Sequence, residues 1–481
     1  MTRTTQIFVA STLYGVMNLS AAVDSGQFGG MDRDQPLGYS GDRVRRVLLI
    51  SNNATLPEIS PSAAEMGGFD LLAKRFDQVI NYNEAITPFH PSTWSPRPID
   101  TVLWQRYLRQ LWDLGEDDVH LVVESLQVNP AQAICRIFAD AAIDVYADGL
   151  MSYGPTRNVI DPLIGTRVER LLYADLVSGL DPLLLSEWHP EKVIIPTEAI
   201  KRVVAEIATS DGRPGPADLS DEEPVVILLG QYLSALGIVS PEEEEELHRR
   251  MLIGAIVRGH RKVIFKPHPS APRELADSLR AEAERRGTTL WVHTEASLAE
   301  TLYAGLNVEA VFGCFSTAMV TAVAFYRIPV FTVGTRMILD RLTPYHNSNR
   351  IPVTIVDALL PGTESIRSAT GNHPLAQASG SPIDIGDLVA SVSYVMQPEL
   401  QAESRDRTEE FLTAHYEQLY YYFRRYRLSK LDLPGAPVSV PPRSSLRART
   451  RVLMRRAVRA TRIGRLGRRL PMVVLRRPSG E

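Results

Sequence analysis

Residues 262–270, Lys-Val-Ile-Phe-Lys-Pro-His-Pro-Ser, decide the fold prediction because a short apolar run ends in a cation and a histidine set between two prolines. The run predicts a buried strand, and open α/β sheets bind ligands at the carboxyl ends of their strands. Proline fixes φ and has no N–H, so His268 is held by a stiff backbone. Lys266 and His268 together can neutralise a phosphate and supply a proton. An ordinary proline-rich turn is the alternative interpretation.

Alternating strand and helix patterns surround this stretch in the second half of the chain. Pro224–Gly230 is a continuous apolar run and predicts the preceding strand. A helix start is predicted at Ser240, whose hydroxyl can cap the helix, with Pro241 at the first helical position. The glutamates of residues 242–246 then lie at the positive end of the helix. The pattern continues with a helix over 273–287, a strand over 289–292, a helix from Ser297, a strand over 310–312, a helix after residue 317 and a strand over 329–333.

The first half of the chain shows the same alternation. Residues 5–10 predict a buried strand, Ser11–Gly15 a turn and residues 16–23 a helix, which is how a Rossmann-like unit begins. Such alternation predicts a parallel sheet with helices on its faces. Further strands are predicted over 44–50, 76–80, 119–123 and 143–146, and a further helix over 131–141.

A polar stretch rich in Gly and Pro separates the two halves and is interpreted as a linker. Two Rossmann-like halves predict an α/β protein of GT-B architecture, with two domains facing a central cleft. Helices are predicted over 386–395 and 403–428, and the aromatic stripe of the second is interpreted as core packing. The predicted divisions are 1–207 (N-terminal domain), 208–223 (linker), 224–385 (C-terminal domain), 386–432 (helices packing back on the body) and 433–481 (Pro-rich tether and basic tail).

Composition is that of a soluble globular protein. The 481 residues, 44% apolar and 22% charged, are too many for one ordinary core and predict two domains. Cys135 and Cys314 lie in predicted buried elements, so no disulfide framework or Cys-based metal site is expected and a cytoplasmic location fits. No apolar run is long enough to span a bilayer. Residues 5–23 are interpreted as strand, turn and helix rather than as an export signal.

The charge is distributed unevenly along the chain. Residues 442–481 hold 13 of the 52 basic residues, all Arg, and a single acid, Glu481. The remainder therefore has 39 basic residues against 55 acidic ones, a charge of −16, which argues against nucleic-acid binding across the body. Apolar residues interleave with the arginines, so the tail is interpreted as a basic amphipathic helix on an anionic membrane surface. A disordered basic tail that binds polyanions is the alternative.

Other predicted strand ends and helix starts carry further polar groups. Asp148, before Gly149 and after the strand 143–146, is a candidate general base, although Asp-Gly is also a common turn signal. Ser316 and Thr317 open a helix, where hydroxyls and free N–H groups can cradle a phosphate or simply cap the helix. Glu300, on the preceding helix, can hold ribose hydroxyls or be a solvated acid.

Taken in order, these motifs resemble those of the GT-B bacterial sialyltransferases. The matches are Ala147-Asp148-Gly149 to an acid-acid-Gly motif, residues 266–269 (Lys-Pro-His-Pro) to a His-Pro motif, and Ser316-Thr317 to a Ser-Ser or Ser-Thr motif. Residues 11–18 (Ser-Thr-Leu-Tyr-Gly-Val-Met-Asn) are similar to the first loop of the bacterial α-2,8-polysialyltransferase family, and the resemblance covers roughly residues 5–430. One departure is Ala147, where that motif has an acid.

The resemblance implies an inverting transfer of sialic acid from CMP-sialic acid to a glycan or glycolipid acceptor. Asp148 would deprotonate the acceptor hydroxyl, and His268 would hydrogen-bond the departing phosphate. The N-terminal domain would then hold the acceptor and the base, and the C-terminal domain the nucleotide sugar. No metal or other cofactor is expected. The implied donor-binding residues are Lys266, Pro269, Glu300, Ser316, Thr317, Thr12 and Asn18.

Two alternatives remain open at this point. One is a GT-B transferase that uses another nucleotide sugar. The other is a non-catalytic glycan- or nucleotide-binding protein, suggested by Ala147. Asp32-Arg33-Asp34 has the Asp-x-Asp form of a metal site but lies in a polar, Gly-rich stretch and is interpreted as solvated. The expected location is cytoplasmic and peripheral on the inner face of the cell membrane.

Overall fold

The computed structural model describes residues 3–29, 44–147, 149–210, 215–216, 218–220, 222–268, 271, 274–363 and 383–436. Met1–Gly435 forms one compact unit, and Ala436–Glu481 is a second. Several predictions concern residues outside the described ranges, namely those for Asp148, Pro269, Asp32–Asp34 and the basic tail.

The first half of the chain forms a seven-stranded parallel sheet in the order β3-β2-β1-β4-β5-β6-β7. Its order reverses between β1 and β4, which creates the crevice where such sheets bind ligands. The five predicted strands are confirmed. The strands are β1 (Thr4–Ala10), β2 (Arg45–Ile50), β3 (Gln78–Asn81), β4 (Asp118–Glu124), β5 (Ala142–Ala147), β6 (Val168–Ala174) and β7 (Glu191–Ile195).

The second half forms a five-stranded parallel sheet in the order β10-β9-β8-β11-β12. The strand order again reverses, here between β8 and β11, so each half has its own ligand-binding crevice. Both halves are therefore Rossmann-like, as predicted. The strands are β8 (Val225–Leu229), β9 (Lys262–Lys266), β10 (Thr289–Val292), β11 (Val308–Gly313) and β12 (Val330–Thr332).

Helices connect the strands and close the end of the described chain. The predicted start at Ser240 is confirmed, since its Oγ accepts from the Glu243 N–H and the Glu243 carboxylate accepts from the Ser240 N–H. The helices are α1 (Leu13–Asp24), α2 (Phe69–Ala73), α3 (Tyr82–Ile86), α4 (Thr101–Leu111), α5 (Ala131–Ile137), α6 (Pro162–Gly165), α7 (Thr197–Ser210), α8 (Pro241–Val257), α9 (Glu274–Arg285), α10 (Ala299–Gly305), α11 (Thr317–Tyr326), α12 (Thr335–Arg341), α13 (Arg350–Leu359), α14 (Ile385–Met396), α15 (Arg405–Leu419) and α16 (Arg425–Leu431).

Some predicted element bounds were wrong. The single helix predicted over 403–428 is two helices, α15 and α16, separated by a 3₁₀ turn at Tyr420–Tyr422. Its aromatic stripe is mostly core, as Phe411 and Tyr416 are buried, but Tyr420 is 57% exposed. The helix predicted over 131–141 ends at Ile137, and α7 runs three residues into the predicted linker.

The last helices return to the first half of the chain. Gln397 Nε2, just after α14, donates to the Arg157 carbonyl at 2.7 Å. Gln401 Nε2 donates to Ser186 Oγ at 3.0 Å. These contacts hold the C-terminal helices against the first half of the chain. The two parallel-sheet halves have the GT-B arrangement. The domain boundaries given above stay predictions.

Both cysteines are buried and unbonded. Among the helices that the structure describes, none is both long and apolar enough to cross a lipid bilayer.

Candidate active site

Glu124, the last residue of β4, links the two sides of the crevice of the first sheet through hydrogen bonds. Its Oε2 accepts from the backbone N–H of Ser11 at 3.0 Å and from Ser11 Oγ at 2.7 Å. Ser11 follows β1, so these bonds join the two strands between which the sheet order reverses. Glu124 was not a predicted site residue, because its contact with Ser11 spans 113 residues of sequence.

The two predicted residues of the first loop lie in different surroundings. Thr12 caps α1, where its Oγ1 accepts from the Gly15 N–H at 3.0 Å, and it is exposed. Asn18 is only 1% exposed, and its Nδ2 donates to the Tyr14 carbonyl at 2.9 Å. The structure therefore leaves Thr12 at the edge of the crevice and places Asn18 in the core.

A cavity of about 230 Å³ opens at the carboxyl ends of β4 and β5. Glu124, Ala147 and Gly149 line it from the first half of the chain. Ala147 and Gly149 flank Asp148 in sequence, so both neighbours of the predicted base face this cavity. The second half contributes Ser348, Ile351 and Met396 to its wall.

The acidic motif meets the Ser-Thr motif at Gly149. A Cβ atom added at Gly149 would lie 2.7 Å from Thr317 Oγ1 and 3.3 Å from its Cγ2. This is closer than real Cβ atoms approach, so a side chain at this position would force Thr317 or the backbone to shift. The structure thus brings the predicted base segment and the predicted phosphate-binding segment together, although 168 residues separate Gly149 from Thr317.

Ser316 and Thr317 form the start of α11, in the crevice of the second sheet. Ser316 Oγ accepts from the Ala318 N–H at 3.2 Å, which is the helix cap that was the alternative interpretation. The capping oxygen still carries a proton that it can donate to a phosphate. The neighbouring Phe315 N–H donates to Gln231 Oε1 at 2.8 Å, a contact that sequence reasoning missed.

Lys266 and Glu300 form a buried polar pair behind this helix. They are 8% and 3% exposed, and Thr321 Oγ1 on α11 donates to Glu300 Oε1 at 2.7 Å. Burial lowers the pKa of Lys266 to about 8, while the carboxylates of Glu300 and Glu295 oppose that shift. Burial raises the pKa of Glu300. In this arrangement Glu300 faces α11, and contact with a ribose stays a prediction.

His293, which sequence reasoning also missed, adjoins this pair. The backbone N–H of His293 donates to the Phe265 carbonyl at 2.9 Å. Its ring Nε2 lies 2.7 Å from Ser297 Oγ. Burial lowers its pKa to about 4, and the Lys266 ammonium lowers it further. Its imidazole is therefore neutral near pH 7.

His268 follows β9 by two residues and is exposed. Neighbouring protein atoms partly desolvate its imidazole and lower the pKa, and the Lys266 ammonium lowers the pKa further. The Glu244 carboxylate acts in the opposite direction. Since two effects favour the neutral ring, we expect His268 to act as a neutral N–H donor near pH 7 rather than as a cation.

The sequence profile described as "Alpha-2,8-polysialyltransferase (POLYST)" matches residues 6–335. The chain belongs to the alpha-2,8-polysialyltransferase family. The match contains every predicted site residue, from Thr12 to Thr317, and it identifies this polysialyltransferase-family protein as a glycosyltransferase. A comparison with curated proteins finds no match.

Several solved structures resemble this polysialyltransferase-family chain at low identity. MurG of Acinetobacter baumannii is 10% identical with a TM-score of 0.38, covering 85% of this chain and 95% of that one. The S. aureus MnaA–UDP structure is 12% identical with a TM-score of 0.42, covering 83% and 98%. UGT73P12 of Glycyrrhiza uralensis, complexed with glycyrrhetinic acid 3-O-monoglucuronide, is 12% identical with a TM-score of 0.39, covering 96% and 100%. The fold assignment rests on the two sheets themselves.

Metal-ligating side chains do not cluster in the described ranges, where no group of three or more His, Cys, Asp or Glu residues is placed to hold an ion. Asp32–Asp34 lie outside those ranges. A metal-independent reaction accordingly stays a prediction for this glycosyltransferase.

Proposed function

We propose that the protein transfers sialic acid from CMP-sialic acid to a hydroxyl of a glycan acceptor, with inversion at the anomeric carbon. Asp148 takes the proton of the acceptor hydroxyl. His268 donates a hydrogen bond to the departing CMP phosphate, and the hydroxyls of Ser316 and Thr317 bind its oxygens. Lys266 supplies positive charge on the same side.

The observation that carries this proposal is the close approach of Gly149 to Thr317. It supports a single reaction centre, because the residue after the base lies against the hydroxyl that would bind the leaving group. In an inverting transfer the base and the leaving group sit on opposite sides of one sugar carbon. The contact between Gly149 and Thr317 supports a base and a leaving-group site within reach of one bound sugar.

The leaving phosphate gains negative charge as the glycosidic bond breaks. Donors aimed at that charge in a partly buried site lower the barrier more than they stabilise the bound substrate. Hydroxyls at the start of α11 have the positive end of the helix behind them. These protein groups are the basis for proposing that neither a metal nor another cofactor takes part.

A panel of CMP-, UDP- and GDP-activated sugars tests the proposal. Of these donors, we expect only CMP-sialic acid to release its nucleotide. The rate of release should be unchanged when EDTA is added. Turnover of another nucleotide sugar instead would assign a different donor. A loss of turnover in EDTA that added Mg²⁺ restores would contradict the metal-independent mechanism.

Ala147 favours a second candidate, a glycan- or nucleotide-binding protein without turnover, because an acid is missing from the first position of the motif. Binding of CMP-sialic acid with no CMP release on any acceptor would support this candidate. Ala147→Glu would then be expected to restore turnover if the missing acid is the cause.

Gly149→Ala is expected to lower kcat/KM by roughly 10- to 100-fold, because small displacements of reacting groups have effects of that order. The added methyl would lie 2.7 Å from Thr317 Oγ1 and force the two motifs apart. Steady-state rates of CMP release measure the effect. Gly362→Ala is the matched control, since its Cβ would meet only Thr332 Oγ1, at 3.8 Å. Equal activity of both variants would show that the contact between the motifs is unimportant.

Donor affinity is expected to fall above about pH 8. Lys266, with its pKa near 8, carries its charge below that pH and loses it above. The carboxylates of Glu300 and Glu295 face Lys266. The imidazoles of His268 and His293 also face it, and the pKa of each imidazole is lowered. Loss of one proton predicts a decline of up to about tenfold per pH unit.

Calorimetric titration with CMP from pH 7 to 10 measures this decline. Lys266→Arg keeps its charge throughout the range and serves as the control. An equal decline in the arginine variant would assign the pH dependence to another group.

We also propose that the protein binds peripherally to the inner face of the cell membrane. The 13 arginines of residues 442–481 are attracted to anionic lipid by about 1 kcal/mol per cation near the surface. Exposed apolar side chains on α4 support a second contact. They recur four residues apart on one side, as Leu103, Tyr107 and Leu111, and are 68%, 44% and 50% exposed.

Vesicle sedimentation tests the membrane contact. We expect the full chain to bind anionic vesicles, and both Leu103→Glu and removal of residues 442–481 to reduce the bound fraction. Val257→Glu, at a position that is 68% exposed on α8, is the matched control and should bind like the unmodified protein. Equal sedimentation of all four proteins would contradict the proposal.

A further inference from the structure

The loop that follows β8, residues 230–234, contacts both of the proposed donor-binding motifs. The Gly230 N–H donates to the carbonyl of Lys266, the last residue of β9, at 2.9 Å. Gln231 Oε1 accepts from the N–H of Phe315 at 2.8 Å, directly before the Ser-Thr motif. The order of the second sheet reverses between β8 and β11. The loop therefore lies at the crevice of this sheet, where open α/β sheets bind ligands.

The backbone of this loop is strained and firmly held. Tyr232 has a φ of +51°, which is unfavourable for a bulky side chain. Glu244 on α8 is 1% exposed and fixes the next two residues. Its carboxylate accepts from the Leu233 N–H at 2.6 Å, the Ser234 N–H at 3.0 Å and Ser234 Oγ at 2.6 Å. Strain of this kind persists only where the surroundings impose it, and it is concentrated at functional sites.

The side-chain amide of Gln231 has one end bonded and one end open. Its oxygen must face the Phe315 N–H, because that group can only donate, so Nε2 is the free end of the amide. Within the described residues, Nε2 has no hydrogen-bond acceptor, and the side chain is half-buried. A partly buried donor without an acceptor gains free energy when a ligand supplies one. The Phe315 contact also limits where that ligand can lie.

The groups around the Gln231 amide define the ligand. Phe315 leads directly into Ser316 and Thr317, whose hydroxyls lie at the positive end of α11. Lys266 contributes an ammonium group from the neighbouring strand. These groups are hydrogen-bond donors or positive charges, so the ligand atom that meets Nε2 is an acceptor with negative charge. A phosphate oxygen has this chemistry, and hydrogen bonds to ionised groups are the stronger ones.

We propose that Gln231 is a further donor-binding residue, whose Nε2 donates a hydrogen bond to the phosphate of the nucleotide sugar. Its Oε1 at the same time holds the segment before α11, so that one side chain joins the loop after β8 to the phosphate ligands. The bond to the phosphate strengthens as the glycosidic bond breaks and charge develops on that group. This inference rests on the proposed function.

The test compares two substitutions of Gln231 that separate its two ends. Gln231→Glu keeps an oxygen for the Phe315 N–H but replaces the Nε2 donor by a negatively charged oxygen. Gln231→Met has a similar shape and loses both bonds. For CMP, we expect affinity to fall roughly tenfold in Gln231→Met and roughly 100-fold in Gln231→Glu, as for loss of a hydrogen bond to a charged group with added repulsion. The kcat for CMP release should fall in the same order.

Cytidine, which lacks the phosphate, distinguishes a ligand contact from a structural role. Calorimetric titration should give the same cytidine affinity for both variants as for the unmodified protein, which also shows that they are folded. Gln418→Glu, at an exposed position on α15, adds the same charge elsewhere and should bind CMP normally. Equal losses for CMP and cytidine, unchanged CMP affinity, or a smaller loss of CMP affinity in Gln231→Glu than in Gln231→Met would overturn the role of Gln231.

Failure of the proposed function would appear differently. Absence of CMP release from CMP-sialic acid by the unmodified protein would overturn the donor assignment alone, since CMP and cytidine binding need no turnover. If a UDP- or GDP-sugar is turned over instead, the same comparison is made with that nucleotide and its nucleoside. The phosphate-dependent loss in Gln231→Glu is expected in either case.

Discussion

Asp148→Asn is expected to lower kcat for sialyl transfer by about 10³-fold, within the range that a positioned general base contributes. Asparagine has nearly the same shape as aspartate but cannot accept the proton of the acceptor hydroxyl. The sequence neighbours Ala147 and Gly149 line the cavity, which is the basis for proposing Asp148 as the base. Quenched-flow or steady-state measurement of product formation gives the effect.

The affinity for CMP distinguishes a chemical role from a structural one. It should be unchanged in Asp148→Asn, because the proposed phosphate ligands belong to the other sheet. Glu124→Gln tests the carboxylate that lines the cavity and is bonded to Ser11. A larger loss in Glu124→Gln than in Asp148→Asn would transfer the base role to Glu124.

His268→Ala is expected to lower kcat by roughly 10²- to 10³-fold, as for removal of one donor to a developing anion. The lowered pKa of His268 makes the ring a neutral donor at pH 7, so kcat should not lose a protonated group as the pH rises from 6.5 to 8. A pH profile of kcat between 5.5 and 8.5 provides the check.

His268→Asn is the informative companion, because its amide can still donate a hydrogen bond. We expect it to recover part of the activity lost in His268→Ala, while CMP affinity changes by only a few-fold in either variant. A loss confined to CMP affinity, with kcat intact, would make His268 a ground-state ligand instead.

The fold could be predicted where the sequence contains uninterrupted apolar strands and strong helix starts. The buried strands β8 and β9 and the capping box at Ser240 are examples. Strand β6 was missed because Arg170 interrupts its apolar pattern. Its guanidinium pairs with the buried Asp144 on β5, so the charge is accommodated inside the sheet. The edge strand β7 was missed because it is mostly exposed.

The candidate site could be predicted only in part. Residues at strand ends, such as Lys266 and Ser316, were found because their position follows from the strand pattern. Gln231 and Glu124 were not, because they depend on contacts between segments 84 and 113 residues apart. Sequence spacing along one element contains no information about such contacts.

Incubation of the purified full-length protein with CMP-sialic acid and a sialic acid oligomer tests the central claim most directly. CMP and extended oligomer are quantified together, in parallel with Asp148→Asn. We predict equimolar CMP and transferred sialic acid from the unmodified protein, and about 10³-fold less of both from the variant. Equal amounts of CMP from the two proteins, or none from either, would contradict the assignment of this site as a sialyltransferase centre.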